Sequence, residues 1–114
     1  MSTLARPIEA PLIEDVTVSS DTLSVELSDG RSISVPLAWY PRLSHASSPE
    51  RKRWRLVGRG AGIHWEDLDE DISVENLIAG KPSGESHASF RKWLARRSSQ
   101  KRSRMSRRKA RGTE

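Results

Sequence analysis

The sequence of 114 residues has no cysteine, one phenylalanine and one tyrosine. Without cysteine the chain can form neither a disulfide scaffold nor a thiolate metal site. No apolar run approaches the roughly 20 residues of a membrane-spanning helix. The N-terminal residues also lack the basic segment followed by an apolar segment that marks a secretory signal. These absences predict a soluble cytoplasmic protein that has no membrane partner.

Motifs for catalysis and for cofactors are also lacking. The glycine cluster Gly58–Gly62 has neither the Gly-Lys-Ser/Thr ending of a phosphate-binding loop nor the spacing of a dinucleotide fingerprint, so it predicts a tight connection between strands. The three histidines have no second ligand at metal-site spacing. His64 is open to interpretation as a general base acting with Asp67 or Asp69, although a structural hydrogen bond is the favoured interpretation. We expect no enzymatic activity and no cofactor.

A run of acids follows His64. Asp67, Asp69 and Asp71 alternate as in the opening of a calcium-binding loop. The positions where that loop needs glycine and glutamate are both isoleucine, at Ile72 and Ile78. Asp69, Glu70 and Asp71 stand where they can precede a helix, a placement that the positive end of its dipole favours, and some of these acids can pair with nearby arginines. The acids therefore predict the start of a helix and no metal site.

Charge is divided sharply along the chain. Eleven of the 20 Lys and Arg residues lie from Arg91 onward, where Glu114 is the only acid, while the preceding residues hold nine bases and 14 acids. The body is thus acidic and the tail strongly basic. Such a tail can neutralise nucleic-acid phosphates, or it can be a solvated segment or a complement to acidic surface. The candidate nucleic-acid-binding residues are its eleven bases, Arg91, Lys92, Arg96, Arg97, Lys101, Arg102, Arg104, Arg107, Arg108, Lys109 and Arg111.

Alternation of apolar and polar residues begins at Val16 and continues to Leu37. This period indicates strands that have one buried face. Asp29-Gly30 is typical of a hairpin turn because both residues tolerate positive φ, and Pro36 indicates that the third strand ends or lies at an edge. The pattern predicts a three-stranded antiparallel meander. Two further short strands are expected on either side of the glycine cluster.

Short helices are expected after the meander. Pro41 fits the first turn of one helix, and Ser48 with Pro49 fits the N-cap and first position of a second. Ser73 is placed to cap a third helix that ends at Gly80. The predicted fold class is α+β, with a small antiparallel β-meander sheet, short helices packed on one face and a disordered basic C-terminal tail.

The domain boundaries follow from these patterns. Phe90, Trp93 and Leu94 form an apolar stripe near the C-terminus, and the residues beyond Ser98 have too little apolar surface to offset the entropy of ordering. The expected segments are a flexible N-terminal arm at 1–13, the α+β domain at 14–82, a linker and amphipathic helix at 83–97, and a disordered basic tail at 98–114.

The aromatic residues before the basic tail are consistent with two roles, core packing and partner binding. A small core needs bulk, which makes core packing the default role of tryptophan. Trp39 and Tyr40, however, stand beside Arg42 at the exit of a strand, and this is the composition of interface anchors. Both uses stay open from the residues alone. The candidate partner-binding residues are Trp39, Tyr40, Arg42, His64 and Asp69.

Five short motifs stand in a characteristic order. They are Leu27-Ser28-Asp29-Gly30-Arg31, Trp39-Tyr40-Pro41-Arg42-Leu43, Trp54-Arg55-Leu56, Gly60-x-Gly62-Ile63-His64-Trp65 and Leu68-Asp69-Glu70-Asp71-Ile72-Ser73. Together they resemble the prokaryotic domain-of-unknown-function family 2442 over about residues 15–80. The resemblance implies a small α+β domain without an established activity.

The resemblance also implies a binding role. Some members of that family are fused to a helix-turn-helix domain, and some lie beside small proteins of domain-of-unknown-function family 4160 in a toxin-antitoxin-like pairing. The chain departs from the fused members because nothing after Gly80 suffices for a helix-turn-helix bundle. We therefore expect a non-catalytic binding module, antitoxin-like, whose partner is a toxin-like protein encoded by a neighbouring gene. The alternative is a nucleic-acid-binding accessory protein that acts through the basic tail.

Overall fold

A computed structural model describes the backbone of residues 11–112 and the side chains of residues 11–99. The chain divides into two units, Met1–Ser83 and Gly84–Glu114. In its described residues the first unit has two antiparallel three-stranded sheets, with strand orders β1-β2-β3 and β4-β5-β6, together with three short helices. The α+β prediction is confirmed.

The first sheet is the predicted meander. Its strands are β1 (Ile13–Val18), β2 (Thr22–Leu27) and β3 (Ser32–Pro36). Hydroxyl-rich residues form its outer face, where the Ser24 and Ser34 hydroxyls lie 2.7 Å apart. At the predicted turn, Gly30 has φ of 91°, and the Asp29 carboxylate accepts a hydrogen bond from the Arg31 backbone N–H at 3.0 Å. That hydrogen bond and the Arg31 guanidinium lower the pKa of Asp29.

The folded domain begins earlier than residue 14. Ile13 opens β1 and is 2% exposed, and Leu12 exchanges hydrogen bonds with Ser28. The register of β1 on β2 shifts between Ile13 and Asp15, so Ile13 and Val16, three residues apart, are both buried. This bulge breaks the period of two and hides Ile13 from the alternation pattern. Residues 1–10 of the predicted arm lie outside the described residues.

Two of the three strands of the second sheet were expected. Its strands are β4 (Trp54–Val57), β5 (Gly62–Trp65) and β6 (Glu70–Ser73). The first two match the short strands predicted around the glycine cluster. The acids Asp69, Glu70 and Asp71 precede a helix in sequence, as predicted, but Glu70 and Asp71 lie in β6, a strand that was not predicted. Glu70 occupies an inward position opposite Trp65, so the strand shows no apolar-polar alternation in sequence.

Three short helices complete the first unit: α1 (Pro41–His45), α2 (Ser48–Lys52) and α3 (Val74–Ala79). Ser73 caps α3 and Gly80 ends it with φ of 68°, as predicted. The cap of α2 lies one residue before the predicted position. Ser47 accepts from the Glu50 N–H while the Glu50 side chain accepts from the Ser47 N–H, and this reciprocal capping box fixes the start of α2.

The glycine cluster is a tight connection with positive φ, as predicted. Gly58, Arg59 and Gly60 have φ of 57°, 62° and 104°. A Cβ on Gly60 would lie 2.5 Å from the Ile13 carbonyl oxygen. Gly60 is therefore required both by its backbone conformation and by the close approach of β1.

The core of the first unit is apolar and is drawn from both sheets and all of the helices except α2. Its fully buried side chains include Trp65, Leu23, Leu27, Leu37, Leu43, Ile63, Leu68, Val25 and Val74. The Trp65 indole N–H donates to the Arg51 carbonyl at 3.0 Å, which satisfies its polar atom. Trp65 thus has the core role that is the default for tryptophan.

The second unit contains one helix, α4 (His87–Gly112), over its described residues. Ser86 accepts from the Ser89 N–H at 3.1 Å and so caps its start. The α4 backbone continues through residues that the sequence predicts to be disordered, because Arg, Lys, Gln and Ala have high intrinsic helix propensity. Disorder of that tail stays a prediction. None of the helices that the structure describes is long and apolar enough to cross a membrane.

Candidate partner-binding surface

A row of charged side chains crosses the outer face of the second sheet. Arg55 on β4 pairs in register with His64 on β5, and His64 pairs in register with Asp71 on β6. Directly opposed residues of antiparallel strands point to the same face. The sheet therefore places a cation, an imidazole and a carboxylate side by side. Their neighbours along the strands point into the core.

His64 lies between two carboxylates. Its Nδ1 is 2.6 Å from Asp71 Oδ1, and its Nε2 is 3.3 Å from Glu66 Oε2. The ring is only 18% exposed, whereas the two carboxylates are about three-quarters exposed. Neither of the predicted acid partners of His64 holds this position. Instead, the structural hydrogen bond favoured by sequence is made to Asp71.

Two arginines bracket the acids that follow β5. Arg55 Nη2 lies 3.4 Å from Glu66 Oε2, and Arg53 Nη1 lies 3.2 Å from Asp67 Oδ2. All four side chains are well exposed, so each pair contributes little to stability on its own. They place a cation beside each of these two carboxylates at the surface.

Arg42 has a different, largely structural role. Its side chain is 12% exposed, and its Nη1 donates to the carbonyl oxygens of Leu68 at 3.2 Å and Asp69 at 2.9 Å. These carbonyls end the 3-10 turn Glu66–Leu68, after which Asp69 adopts φ of 50°. Arg42 on α1 thereby fixes the turn that presents Asp69, whose own side chain is 85% exposed.

We call this set of charged residues the ion-pair surface. It consists of Arg42, Arg53, Arg55, His64, Glu66, Asp67, Asp69 and Asp71. Three of the five predicted partner-binding residues belong to it. The other members were missed because only the register of β4, β5 and β6 brings them together. The one sequence signal was the density of charge around His64.

The two aromatic candidates lie elsewhere in the first unit. Trp39 ends the 3-10 turn Leu37–Trp39 and is half-buried, and its carbonyl accepts from the Ser83 N–H at 3.0 Å. Tyr40 is 3% exposed, so its ring serves the core and is not available as a surface anchor. The Tyr40 hydroxyl has no hydrogen-bond partner among the described residues. Burial, with the nearby charge of Glu70, raises the pKa of Tyr40.

The described bases of α4 divide between two faces. Arg91, Lys92 and Arg96 are exposed, whereas the Arg97 guanidinium lies over the Trp93 ring at 4.6 Å from its centroid. The remaining seven predicted nucleic-acid-binding residues, from Lys101 to Arg111, have side chains outside the described part of the chain.

In the described part of the chain, no group of three or more His, Asp and Glu side chains is arranged to hold a metal ion. Asp67 pairs with Arg53, and Asp69 lies beside Arg42, so neither acid is the partner of His64. The arrangement can present fixed carboxylates to a binding partner.

These features define a small α+β domain with a charged surface built on its second sheet. The family model described as "Protein of unknown function (DUF2442)" matches residues 13–83. Since the match spans more than half of the chain, the protein belongs to this family. The comparison with curated proteins gives no match.

Two solved structures share the fold. One is a protein of unknown function from Rhodospirillum rubrum, with 29% identity and a TM-score of 0.59, which covers 68% of this chain and 95% of the other. The second is an uncharacterised protein from Chromobacterium violaceum, with 20% identity, a TM-score of 0.55 and 75% coverage of each chain. The second likeness concerns the fold alone.

Proposed function

We propose that this protein is a non-catalytic binding module that holds a basic protein partner against its ion-pair surface. The observation that supports the proposal is the state of three carboxylates. Glu66, Asp69 and Asp71 are 70–85% exposed, yet each has a defined neighbour, which is Arg55, Arg42 and His64 respectively. Preorganised carboxylates lose little freedom when they meet a cationic surface.

The net charge of the surrounding residues also supports the binding of a basic partner. The residues before Arg91 hold 14 acids and nine bases, so the domain attracts cations at long range and accelerates association with a basic partner. The proposed partner is a toxin-like protein encoded by a neighbouring gene, as in the pairing found for some members of the family. In such a pair the module would be the antitoxin-like component.

Co-expression tests this proposal. The chain is produced together with the product of the adjacent reading frame, and the complex is sought by size-exclusion chromatography and quantified by calorimetry. We expect co-elution, and growth inhibition by the neighbour alone that this chain relieves. Replacing three surface carboxylates by their amides, as E66Q/D69N/D71N, should weaken binding about tenfold or more, because the cations of the partner then lose their counter-charges.

A matched variant controls for net charge. Glu14, Asp15 and Glu75 are exposed carboxylates outside the ion-pair surface, and E14Q/D15N/E75Q removes the same charge. This control should bind like the wild type. A neighbour that stays separate and is harmless alone would contradict the proposal, as would equal weakening by both triple variants.

A second candidate function is nucleic-acid binding through the second unit. The observation that favours it is the exposure of Arg91, Lys92 and Arg96 on a helix without a single acid among its 26 residues. Phosphate neutralisation by such bases releases counterions, so the affinity should fall steeply with salt. Truncation after Ser86 should abolish the binding, and salt-independent binding would contradict it.

A further inference from the structure

The aromatic side chains of the second unit are engaged with each other and with an arginine. Phe90 and Trp93 are the unit's only aromatic residues, and their rings stack at 5.7 Å between centroids with an interplanar angle of 20°. The Arg97 guanidinium lies 4.6 Å from the Trp93 centroid. Contact with Phe90 and a cation on the ring leave Trp93 poorly placed to stack on a base.

The exposed bases lie on a different side of the helix. Lys92 and Arg96 are four residues apart and so lie one above the other. Arg91 lies about 100° around the helix axis from Lys92, on the side away from Trp93. No ion pair between these three and another described side chain is seen. Trp93 and Arg97 are likewise four apart, but about 100° further around the helix axis. The helix therefore separates its aromatic contacts from its exposed bases.

This exposed basic face suits phosphates better than a lipid surface. A helix that lies on a membrane inserts large apolar side chains on one face. Trp93 is buried and Phe90 and Leu94 are half-buried, so these apolar side chains are not free to insert. The sequence from Ser98 onward offers only Met105 and Ala110 as apolar residues. The 26 residues of α4 extend over about 39 Å, a length along which duplex DNA carries one charge per about 1.7 Å.

We infer that α4 binds nucleic acid through phosphates alone and independently of sequence, with Arg91, Lys92 and Arg96 in contact and Trp93 held out of it. The inference rests on the second candidate function and specifies its mode. Phosphate contacts position a protein on nucleic acid but do not read bases. Specificity, if the complex has any, would then come from the partner of the first unit.

Fluorescence anisotropy of the full chain with labelled DNA tests the mode. Two unrelated duplexes of about 20 base pairs, each longer than the helix, are titrated over a range of salt concentrations, together with single-stranded DNA and RNA of the same sequences. The affinities for the two duplexes should differ by less than about fivefold, since even a single specific base contact would produce a difference of that size. In R91Q/K92Q/R96Q the slope of log affinity against log salt should fall by about three, about one per base removed.

Two controls accompany these titrations. K52Q/R59Q/K81Q removes three exposed bases of the first unit and should leave the slope unchanged. The emission of Trp93, obtained as the difference between the wild type and Trp93→Phe, should not change on binding, because a stacked base would quench it.

The possible outcomes distinguish the inferred mode of nucleic-acid binding from the second candidate function itself. No binding to any nucleic acid at low salt overturns the second candidate function and the inference with it. Binding with more than about tenfold preference between the duplexes, or with quenching of Trp93, overturns only the inference. An unchanged salt slope in R91Q/K92Q/R96Q also overturns it. Tighter binding to phosphatidylserine vesicles than to the duplexes at equal salt assigns α4 to membranes and overturns both.

Discussion

At the scale of single residues, the fold depends on glycines whose backbone has positive φ. Gly60 has φ of 104°, and its missing Cβ would lie 2.5 Å from the Ile13 carbonyl oxygen. Gly30 has φ of 91° but nothing within 4 Å of its Cβ position. Substitution at Gly30 therefore measures the cost of the backbone conformation alone, whereas substitution at Gly60 measures that cost together with a steric clash.

Alanine substitutions at these glycines should differ in effect. Gly30→Ala should lower the free energy of unfolding by about 1–2 kcal/mol, the cost of a left-handed conformation for a residue with a Cβ. Gly60→Ala should lower it further, because the Ile13 backbone must also move. Urea denaturation measures both. Equal losses of unfolding free energy would show that the close approach of β1 to Gly60 adds no steric cost.

Tyr40 is a buried phenol whose pKa is raised by burial and by the charge of Glu70. Its hydroxyl has no partner among the described residues, so Tyr40→Phe should leave the stability at neutral pH unchanged or improved. Above the ordinary pKa of 10.0 the unfolded chain releases the phenol proton before the folded chain does. The contribution of the neutral phenol is therefore complete below pH 10 and is lost as the pH rises through the folded-state pKa.

This sign can be checked by urea denaturation of the wild type and Tyr40→Phe between neutral pH and about pH 11, a range that spans the ordinary tyrosine pKa. The free energy of unfolding of the wild type should fall relative to the variant as the pH rises. Since Tyr40 is the only tyrosine, its ionisation is also visible by ultraviolet absorbance. A constant difference between the two proteins would contradict the assignment.

At the scale of elements, Arg42 joins α1 to the turn before β6. Replacing it by methionine removes the hydrogen bonds to the Leu68 and Asp69 carbonyls. The expected loss is about 1.5–3 kcal/mol, typical of hydrogen bonds from a charged donor. Asp69→Asn is the comparison, because it keeps the carbonyl, tolerates positive φ and removes only a 4.0 Å pair with an exposed carboxylate.

Asp69→Asn should therefore change the stability by less than about 0.5 kcal/mol. Thermal and urea unfolding of both variants give the comparison. An Arg42→Met protein as stable as the wild type would show that the turn keeps its conformation without Arg42.

The elements also show what sequence can and cannot predict. Alternation from Val16 and the Asp29-Gly30 turn were enough to predict the first sheet, since both signals are local. Ile13 was missed because a bulge breaks its period. Strand β6 was missed because inward-facing Glu70 removes the alternation. For α2, adjacent serines leave the cap ambiguous until the reciprocal bond between Ser47 and Glu50 is seen.

The candidate site was predicted less completely than the fold. Arg42, His64 and Asp69 belong to the ion-pair surface, but Arg55 and Asp71 joined it only through the pairing register across three strands. No local pattern encodes that register when the strands have four residues each. Conversely, Tyr40 has the composition of an interface anchor and is buried, because a small domain uses its few aromatic residues for its core.

At the scale of the whole molecule, two units carry opposite charge. The residues before Arg91 are acidic in balance, and those from Arg91 onward hold eleven bases and one acid. We propose a basic protein partner for the first unit and nucleic-acid phosphates for the second. The two contacts use separate residues, so variants in one unit should leave binding by the other unchanged.

A nuclear magnetic resonance titration can show whether the ion-pair surface receives the partner. Amide resonances of the isotope-labelled chain are followed while the product of the neighbouring gene is added. We expect the largest shifts in residues 53–55 and 64–71, on the second sheet and its turn. Shifts confined to the hydroxyl face of the first sheet, around Ser24 and Ser34, or to α4 would contradict it.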